Sequence, residues 1–248
     1  MTQPLLAVDR LSKSYGAIRA VHDVSFAVAP GEIVGVIGPN GSGKTTLFNC
    51  ILGQTVPSAG AVRFRGTPLT GAAPLAVSRR GIGRTFQSLQ VFGSLTVRDN
   101  LIAAAQEFQG SMAARLLAPS DAGLGARADA MIERFRLGRV ARHPAGSLSY
   151  GQQKLVDIAM AFMPDPALVL LDEPAAGINP SLVEELRALL EGLNRERGAT
   201  FVVIEHNMDF VMRLAQRVLV LAEGRLLAEG APETVRAHPE VMEAYLGA

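Results

Sequence analysis

The sequence predicts an α/β fold that combines a mixed sheet core, a small antiparallel β lobe and an inserted α-helical lobe. The first observation is a set of short, continuously apolar runs, which are typical of parallel strands covered by helices on both faces. The second is a group of shorter strand candidates near the start of the chain. The third is a long stretch of helix-forming residues between residues 88 and 148.

Continuously apolar runs supply the strands of the predicted core, and they occupy residues 33–37, 168–171, 201–204 and 218–221. Helical segments separate these runs, and the clearest one extends from Pro180 to about Arg197. Asn179 can cap the start of this helix, and Gly198 can end it.

The remaining segments predict two smaller lobes. Strand candidates bounded by turn residues lie at 6–9, 24–28 and 62–64, and they predict the antiparallel sheet. The helical lobe should contain helices over 97–108 and 127–137, with a loop at 119–125. We therefore expect one domain over 1–248, in which 1–87 and 165–248 form the core with its β lobe and 88–164 form the helical lobe.

Composition limits the possible functions. The chain has 248 residues, 48% of them hydrophobic, and its formal net charge of +1 gives no electrostatic reason to bind nucleic acid. The single cysteine, Cys50, excludes an intrachain disulfide and fits a reducing compartment. We see no signal peptide and no run of about 20 apolar residues, so we expect a cytoplasmic protein that serves a membrane only through a partner.

A glycine-rich segment matches the phosphate-binding pattern G-x-x-x-x-G-K-[ST] in full. It follows a predicted buried strand and opens a predicted helix, so backbone N–H groups and the helix N-terminus can surround phosphate oxygens. Lys44 would contact the β- and γ-phosphates of a nucleotide, and the Thr45 hydroxyl would bind Mg²⁺. The predicted nucleotide-binding residues here are Gly38, Pro39, Asn40, Gly41, Ser42, Gly43, Lys44, Thr45 and Thr46.

Two carboxylates follow the apolar run at 168–171, at the sheet edge where open α/β sheets bind their ligands. Asp172 can hold Mg²⁺, and Glu173 can then orient or deprotonate the attacking water. Phosphoryl transfer mainly requires positioning and charge neutralisation, so these two groups with the phosphate-binding loop predict nucleotide hydrolysis.

The segment at 148–153, which reads LSYGQQ, precedes an apolar helical stretch ending near Pro164. Ser149 and the backbone N–H groups at Gly151 can present hydrogen-bond donors at the start of that helix, which suits an anion. The segment resembles the signature of ABC ATPases, usually LSGGQ, with Tyr150 in place of the first glycine. The resemblance implies that Ser149, Gly151 and Gln152 contact an ATP molecule held by a second cassette.

Other positions match the ABC family in the expected order, and the resemblance gives each a role. Tyr15 corresponds to the aromatic residue that stacks on adenine. Gln87 corresponds to the glutamine that contacts Mg²⁺ and the attacking water, and it also begins the helical lobe. His206 corresponds to the switch histidine that touches the γ-phosphate. Asn179 replaces the usual aspartate, so the contact that it makes across the dimer should be a neutral hydrogen bond.

More distinctive segments resemble the ATP-binding subunits of bacterial branched-chain amino acid importers. They are the runs RTFQ at 84–87 with the residues that follow it, YGQQ at 150–153, PAAGINP at 174–180, IEHNM at 204–208 and VMEAYLG at 241–247. The resemblance implies a head-to-tail dimer with a like or related ATPase, transmembrane permease subunits, and indirectly a periplasmic solute-binding protein. It also implies a peripheral position on the inner face of the membrane.

Alternatives to this interpretation stay open. ATPases of urea, amide or other amino acid importers are similar, because this subunit never touches the solute. A soluble ABC ATPase acting on nucleic acid or protein assemblies would usually carry two cassettes, a coiled-coil insertion or a basic arm. A non-hydrolysing regulator would not need Glu173 or His206, and a small-molecule kinase would not need the segment at 148–152.

Overall fold

The computed structural model describes the backbone of residues 3–85, 88–105 and 122–246. The strands in this part are β1 (Leu6–Tyr15), β2 (Ile18–Val28), β3 (Ile33–Ile37), β4 (Ala59–Phe64), β5 (Thr67–Pro68), β6 (Ile82–Arg84), β7 (Leu168–Asp172), β8 (Thr200–Ile204), β9 (Arg217–Ala222) and β10 (Arg225–Gly230). The α-helices are α1 (Lys44–Ile51), α2 (Pro74–Arg79), α3 (Val97–Ala105), α4 (Ala122–Arg134), α5 (Tyr150–Phe162), α6 (Pro180–Arg197), α7 (Met208–Leu214), α8 (Pro232–Arg236) and α9 (Pro239–Leu246).

The larger sheet has six strands in the order β10-β9-β3-β8-β7-β6. The pairs from β9 to β6 are parallel, and β10 joins the edge in antiparallel orientation, so the sheet is mixed as predicted. All five residues of β3, β7 and β8 are buried, because helices or the second sheet cover both faces. The predicted apolar runs are therefore confirmed as central strands.

The second sheet contains β2-β1-β4-β5 and is antiparallel, as the strand candidates at the start of the chain predict. Its inward-facing residues, such as Leu6, Val24 and Phe64, pack with Val34 and Leu170 of the larger sheet in one hydrophobic cluster. The two sheets therefore share a core, and α1 lies within the same cluster.

Helix α6 has the predicted bounds. The Asn179 side chain accepts a hydrogen bond from the Leu182 N–H at 2.9 Å, which satisfies a backbone donor in the first turn. Gly198 ends the helix with φ +63°, in the left-handed region where glycine is favoured. Leu186, Leu190 and Leu193 are the buried residues on its inner face.

The helical lobe differs from the sequence prediction at both ends of α4. Helix α3 begins at the predicted position, and the predicted residues 106–108 lie outside the described chain. The predicted loop at 119–125 is wrong over residues 122–125, which begin α4, and the predicted helix over 127–137 ends at Arg134. Arg136, with φ +54°, lies in the left-handed region and cannot continue the helix. Ala128, Met131 and Ile132 of α4 are buried in the hydrophobic cluster, and this packing outweighs the low helix propensity of its glycines.

The sequence also gave no indication of the short edge strands β6 and β10. Strand β6 has only three residues and contains Gly83, so it lacks a continuous apolar run. Among the described residues, no helix is both long and apolar enough to cross a membrane.

A fully buried asparagine fixes the start of the helical lobe. The Asn100 Oδ1 accepts a hydrogen bond from the Phe92 N–H at 2.7 Å. Its Nδ2 donates to the carbonyls of Phe92, Leu95 and Thr96 at 3.1, 3.3 and 2.9 Å. One buried amide therefore contacts four backbone groups of the loop before α3.

We predict that Asn100→Ala lowers the free energy of unfolding by about 2–3 kcal/mol, because buried backbone groups lose their partner. Urea denaturation measures this loss. Glu185→Ala, on the exposed face of α6, serves as the control and should change stability by less than about 0.5 kcal/mol. Equal effects of the two substitutions would contradict the anchoring role of Asn100.

Candidate functional site

The phosphate-binding loop, residues 38–45, joins the buried strand β3 to helix α1, as predicted. The Lys44 side chain is buried, and its Nζ donates hydrogen bonds to the carbonyls of Gly38 and Pro39 at 2.8 and 2.9 Å. Burial lowers the pKa of Lys44, while the nearby negative charges of Glu173 and Asp172 act in the opposite direction. The loop therefore holds a cation that faces two carboxylates.

Two glycines of this loop lie where a side chain would collide with neighbouring backbone. A Cβ at Gly38, with φ +155°, would lie 2.1 Å from the Leu221 carbonyl oxygen. A Cβ at Gly43, with φ +99°, would lie 2.2 Å from the carbonyl oxygen of Ala20 in β2. The glycine pattern therefore also allows close packing of the loop against β9 and β2, which the sequence alone does not reveal.

Asp172 ends the central strand β7 and is buried. Its Oδ2 lies 3.3 Å from Nη2 of Arg84, at the end of the neighbouring strand β6, and its backbone N–H donates to the Thr85 hydroxyl at 3.1 Å. Burial raises the pKa of Asp172, and the positive charge of Arg84 opposes that shift. A short edge strand therefore supplies the partner of a buried carboxylate.

Glu173 and His206 follow neighbouring parallel strands and meet at the sheet edge. The Nε2 atom of His206 lies 2.9 Å from Oε1 of Glu173. Glu173 has φ +49°, a backbone conformation that is rare outside glycine, and its N–H donates to the Ile204 carbonyl at 2.9 Å. The structure thus brings together two residues that the sequence placed in separate motifs.

The predicted signature segment begins helix α5. Ser149 is the N-cap, its hydroxyl accepts from the Gln152 N–H at 3.3 Å, and the Gln152 side chain accepts from the Ser149 N–H at 3.1 Å. The ring of Tyr150 packs against Gly177, and a Cβ at that glycine would lie only 2.9 Å from Tyr150 Cε1. The signature segment therefore touches the loop that follows Glu173 in the same chain.

The other predicted site residues are less closely placed. Tyr15 ends β1 with 49% of its surface exposed, and the Lys13 ammonium lies 4.9 Å from its ring centroid. An exposed aromatic face is compatible with stacking, which stays a prediction. Gln87 lies outside the described residues.

The residues present fit Mg²⁺. In the described part of the chain, no three histidine, cysteine, aspartate or glutamate side chains are close enough to form a protein metal cage. Mg²⁺ at a phosphate site needs less, namely one or two carboxylates or hydroxyls completed by water and phosphate oxygens. Asp172 and Thr45 offer hard oxygen ligands of that kind.

Sequence reasoning missed several residues at this edge. Arg84 and Thr85 stand only within a family-like segment, and no sequence signal marks the short strand β6 that positions them. Glu205, which is 2% exposed, likewise stands only within such a segment. Lys154 and Asp157 of α5 are buried charged residues that no motif indicates.

Comparison with known proteins identifies the family of the chain. Residues 21–176 match the ABC transporter family, and residues 225–248 match a family described as branched-chain amino acid ATP-binding cassette transporter. The chain is 37% identical to the high-affinity branched-chain amino acid transport ATP-binding protein BraF of Pseudomonas aeruginosa, covering 100% of this chain and 99% of the relative. It is 38% identical to LivG of Escherichia coli K12, with the same coverage.

Solved structures show the same architecture. The ADP conformation of MJ1267, an ATP-binding cassette of an ABC transporter, superposes with a TM-score of 0.88 at 32% identity and covers 100% of both chains. A dimeric post-hydrolysis state of the cassette MJ0796 bound to ADP and Pi gives a TM-score of 0.79 at 28% identity. It covers 92% of this chain and 98% of that one.

The chain therefore belongs to the ABC transporter family, as an ATP-binding subunit. It is an ATPase, and the relatives that it matches over its whole length are named for branched-chain amino acid transport. The family resemblance and the ATPase activity predicted from the motifs are both confirmed.

We predict that Arg84→Ala lowers the free energy of unfolding by about 3 kcal/mol at pH 8, because a buried carboxylate loses its partner. The side chains of Arg84 and Asp172 are only 11% and 5% exposed. Without Arg84 the pKa of Asp172 rises further above its ordinary value of about 4. At pH values between the ordinary pKa and the raised pKa, the folded state binds more protons than the unfolded chain. The free energy of unfolding therefore falls as pH rises through this range.

Urea denaturation at pH 5 and pH 8 tests this prediction. The deficit of Arg84→Ala relative to the wild type should be smaller at pH 5 than at pH 8, because protonation progressively removes the unpaired charge of Asp172 as pH falls. Arg80→Ala removes the same charge at an exposed position and provides the control. A deficit that is equal at both pH values, or no larger than that of Arg80→Ala, would contradict the role of this ion pair.

Proposed function

We propose that the edge formed by the phosphate-binding loop, Asp172, Glu173 and His206 is the ATP-hydrolysis site of an importer for branched-chain amino acids. The observation that carries the proposal is the 2.9 Å contact between Glu173 and His206. The buried Lys44 lies near Glu173 and Asp172, whose negative charges favour its charged form. A cation, a water-activating carboxylate and an imidazole at one edge supply the charges that phosphoryl transfer requires.

Each residue has a distinct role in this proposal. Lys44 and the N–H groups of residues 38–46 bind the phosphates, and Tyr15 stacks on adenine. Glu173 orients or deprotonates the attacking water, Gln87 contacts Mg²⁺ and that water, and His206 contacts the γ-phosphate. Mg²⁺, when bound by Asp172, the Thr45 hydroxyl and Gln87, would neutralise charge on the β- and γ-phosphates.

We propose that the working unit is a dimer in which Ser149, Gly151 and Gln152 of one subunit reach the γ-phosphate side of the other. Support comes from the exposed start of α5, where Tyr150 is 47% exposed, and from the dimeric state of the related cassette MJ0796. The partner is a second copy or a related ATPase.

The domain arrangement fits a membrane partner. We assign 1–87 and 165–248 to the ATP-binding core with its β lobe and 88–164 to the helical lobe, which begins beside Gln87. Through that lobe the subunit would bind transmembrane permeases on the inner face of the membrane, and a periplasmic solute-binding protein would act indirectly. Lobe and core helices share one hydrophobic cluster, which suits transmission of nucleotide state.

The proposed solute rests on the names of BraF and LivG and on the match of residues 225–248. Importers of urea, amides or other amino acids are the second candidate, because their ATPases are similar. A non-transport ABC ATPase is a third, and no described feature favours it.

We predict that Glu173→Gln lowers ATP turnover at least a hundredfold, since the amide cannot activate water. ATP binding should stay within about twofold of the wild type, and an ATP-bound dimer should accumulate. Phosphate release, fluorescent-nucleotide titration and size-exclusion chromatography measure the three properties. Undiminished phosphate release in Glu173→Gln would remove this residue from its proposed role.

We predict that the chain, co-expressed with the permeases and solute-binding protein of a branched-chain amino acid importer, drives ATP-dependent uptake of labelled leucine, isoleucine or valine into proteoliposomes. Uptake should disappear with Lys44→Ala, which loses the phosphate contact. Unlabelled urea and acetamide serve as competitors. Assembly of the complex with uptake of urea or amide alone would contradict the proposed solute, and failure to associate with any permease would contradict the transport role.

A further inference from the structure

One buried carboxylate at this edge has no role in the proposed chemistry. Glu205 directly follows β8, and only 2% of its surface is exposed. It precedes His206, and no part of the proposed site assigns it a contact with nucleotide, metal or water. A buried carboxylate is costly, so its presence requires partners that repay the desolvation.

Those partners are backbone N–H groups of two separate loops. Glu205 Oε1 accepts a hydrogen bond from the Ala175 N–H at 2.6 Å. Its Oε2 accepts from the N–H groups of His206 at 2.9 Å and Asn207 at 3.2 Å. Asn207 caps helix α7, so one carboxylate joins the loop after Glu173 to the loop and helix after β8.

These hydrogen bonds hold the backbone close to Glu173 and at His206, the two residues whose side chains contact each other. Glu173 has the strained φ of +49°, which persists only where the surrounding structure imposes it. Its own N–H is held by the Ile204 carbonyl, and the N–H two residues later is held by Glu205. His206 is held through its backbone by the same carboxylate. Glu205 therefore constrains the backbone on both sides of the 2.9 Å contact.

The charge of Glu205 also has a buried counterpart. Burial raises the pKa of Glu205, whereas its three backbone hydrogen bonds act in the opposite direction. The Lys154 side chain of α5 is fully buried, and burial lowers its pKa, while the negative charges of Asp157 and Glu205 act in the opposite direction. Hydrogen bonds to an ionised acceptor are shorter and stronger than neutral ones, which suits a positional role.

We propose that Glu205 is a positioning residue for ATP hydrolysis, which sets the placement of Glu173 relative to His206 through the loop backbones. This proposal rests on the function proposed above and adds a residue that acts only through others. Under this proposal Glu205 affects the catalytic rate, and the phosphate-binding loop determines the affinity for nucleotide.

Glu205→Gln tests the proposal because it keeps the size of the side chain. The amide has one acceptor oxygen, and its NH₂ group faces N–H donors in place of the second oxygen. We expect kcat for ATP to fall by at least tenfold, while KM and the affinity for a fluorescent ATP analogue change by less than twofold. Glu32→Gln is the matched control.

Glu32 is a partly buried carboxylate that accepts a hydrogen bond from the Ala29 N–H and pairs with Arg217. It precedes β3 and so lies at the opposite edge of the sheet from the site. Its substitution should lower thermal stability and leave kcat within twofold of the wild type. A loss of kcat that merely follows stability would appear in this control as well.

A double-variant cycle separates positioning from a general structural effect. If Glu205 acts through Glu173, adding Glu205→Gln to Glu173→Gln should leave the residual turnover unchanged within twofold. A further tenfold loss in the double variant would overturn the proposal, as would a wild-type kcat in Glu205→Gln alone. If Glu205→Gln does not fold, Glu205→Asp tests the proposal in its place. The aspartate keeps the charge, but its side chain is one methylene shorter, so its oxygens lie farther from the backbone donors.

For Glu205→Asp, a lowered kcat at constant KM supports the proposal, and an unchanged kcat overturns it. The outcomes stay distinct from those for the proposed function. Full turnover in Glu173→Gln contradicts the hydrolysis site itself, whereas full turnover in Glu205→Gln contradicts only the positioning role of Glu205.

Discussion

The parallel pairing of β3, β8 and β7 is the constraint on which the site depends. In this register Val36 pairs with Ile204, and Ile204 pairs with Asp172. Because neighbouring strands lie about 4.8 Å apart, residues that follow these positions come within side-chain reach of one another. The phosphate-binding loop, Glu173 and His206 are therefore neighbours, although more than 150 residues separate the first from the last.

Buried charged side chains are a second feature of the sheet edge that carries the site. Lys44, Asp172 and Glu205 are all nearly inaccessible, and each is costly to bury alone. The fold offsets that cost in a different way for each residue: backbone carbonyls for Lys44, the Arg84 guanidinium for Asp172, and loop N–H groups for Glu205. Such fixed partners hold charges in place before the substrate arrives, which is the main requirement of phosphoryl transfer.

Sequence reasoning succeeded where a function occupies a contiguous segment. The phosphate-binding loop, the carboxylates after β7 and the capping of α6 by Asn179 are local patterns, and the fold follows from the apolar runs between them. It failed where tertiary contacts decide. The pairing of Arg84 with Asp172 spans 88 residues, and the hydrogen bond from the Ala175 N–H to Glu205 forms only because β7 and β8 are neighbours. The first turn of α4 likewise depends on tertiary packing, because Leu124 lies against the hydrophobic cluster.

The central claim is that each site combines the phosphate-binding loop of one subunit with the signature segment of another. The most direct test mixes inactive Ser149→Arg protein with inactive Lys44→Ala protein, after size-exclusion chromatography has established that the two form mixed dimers. If the chain pairs with itself, the mixed dimer contains one site with an intact Lys44 and an intact Ser149, so ATPase activity should return to about half of the wild-type value per mixed dimer. Mixed dimers without any activity would contradict the shared site.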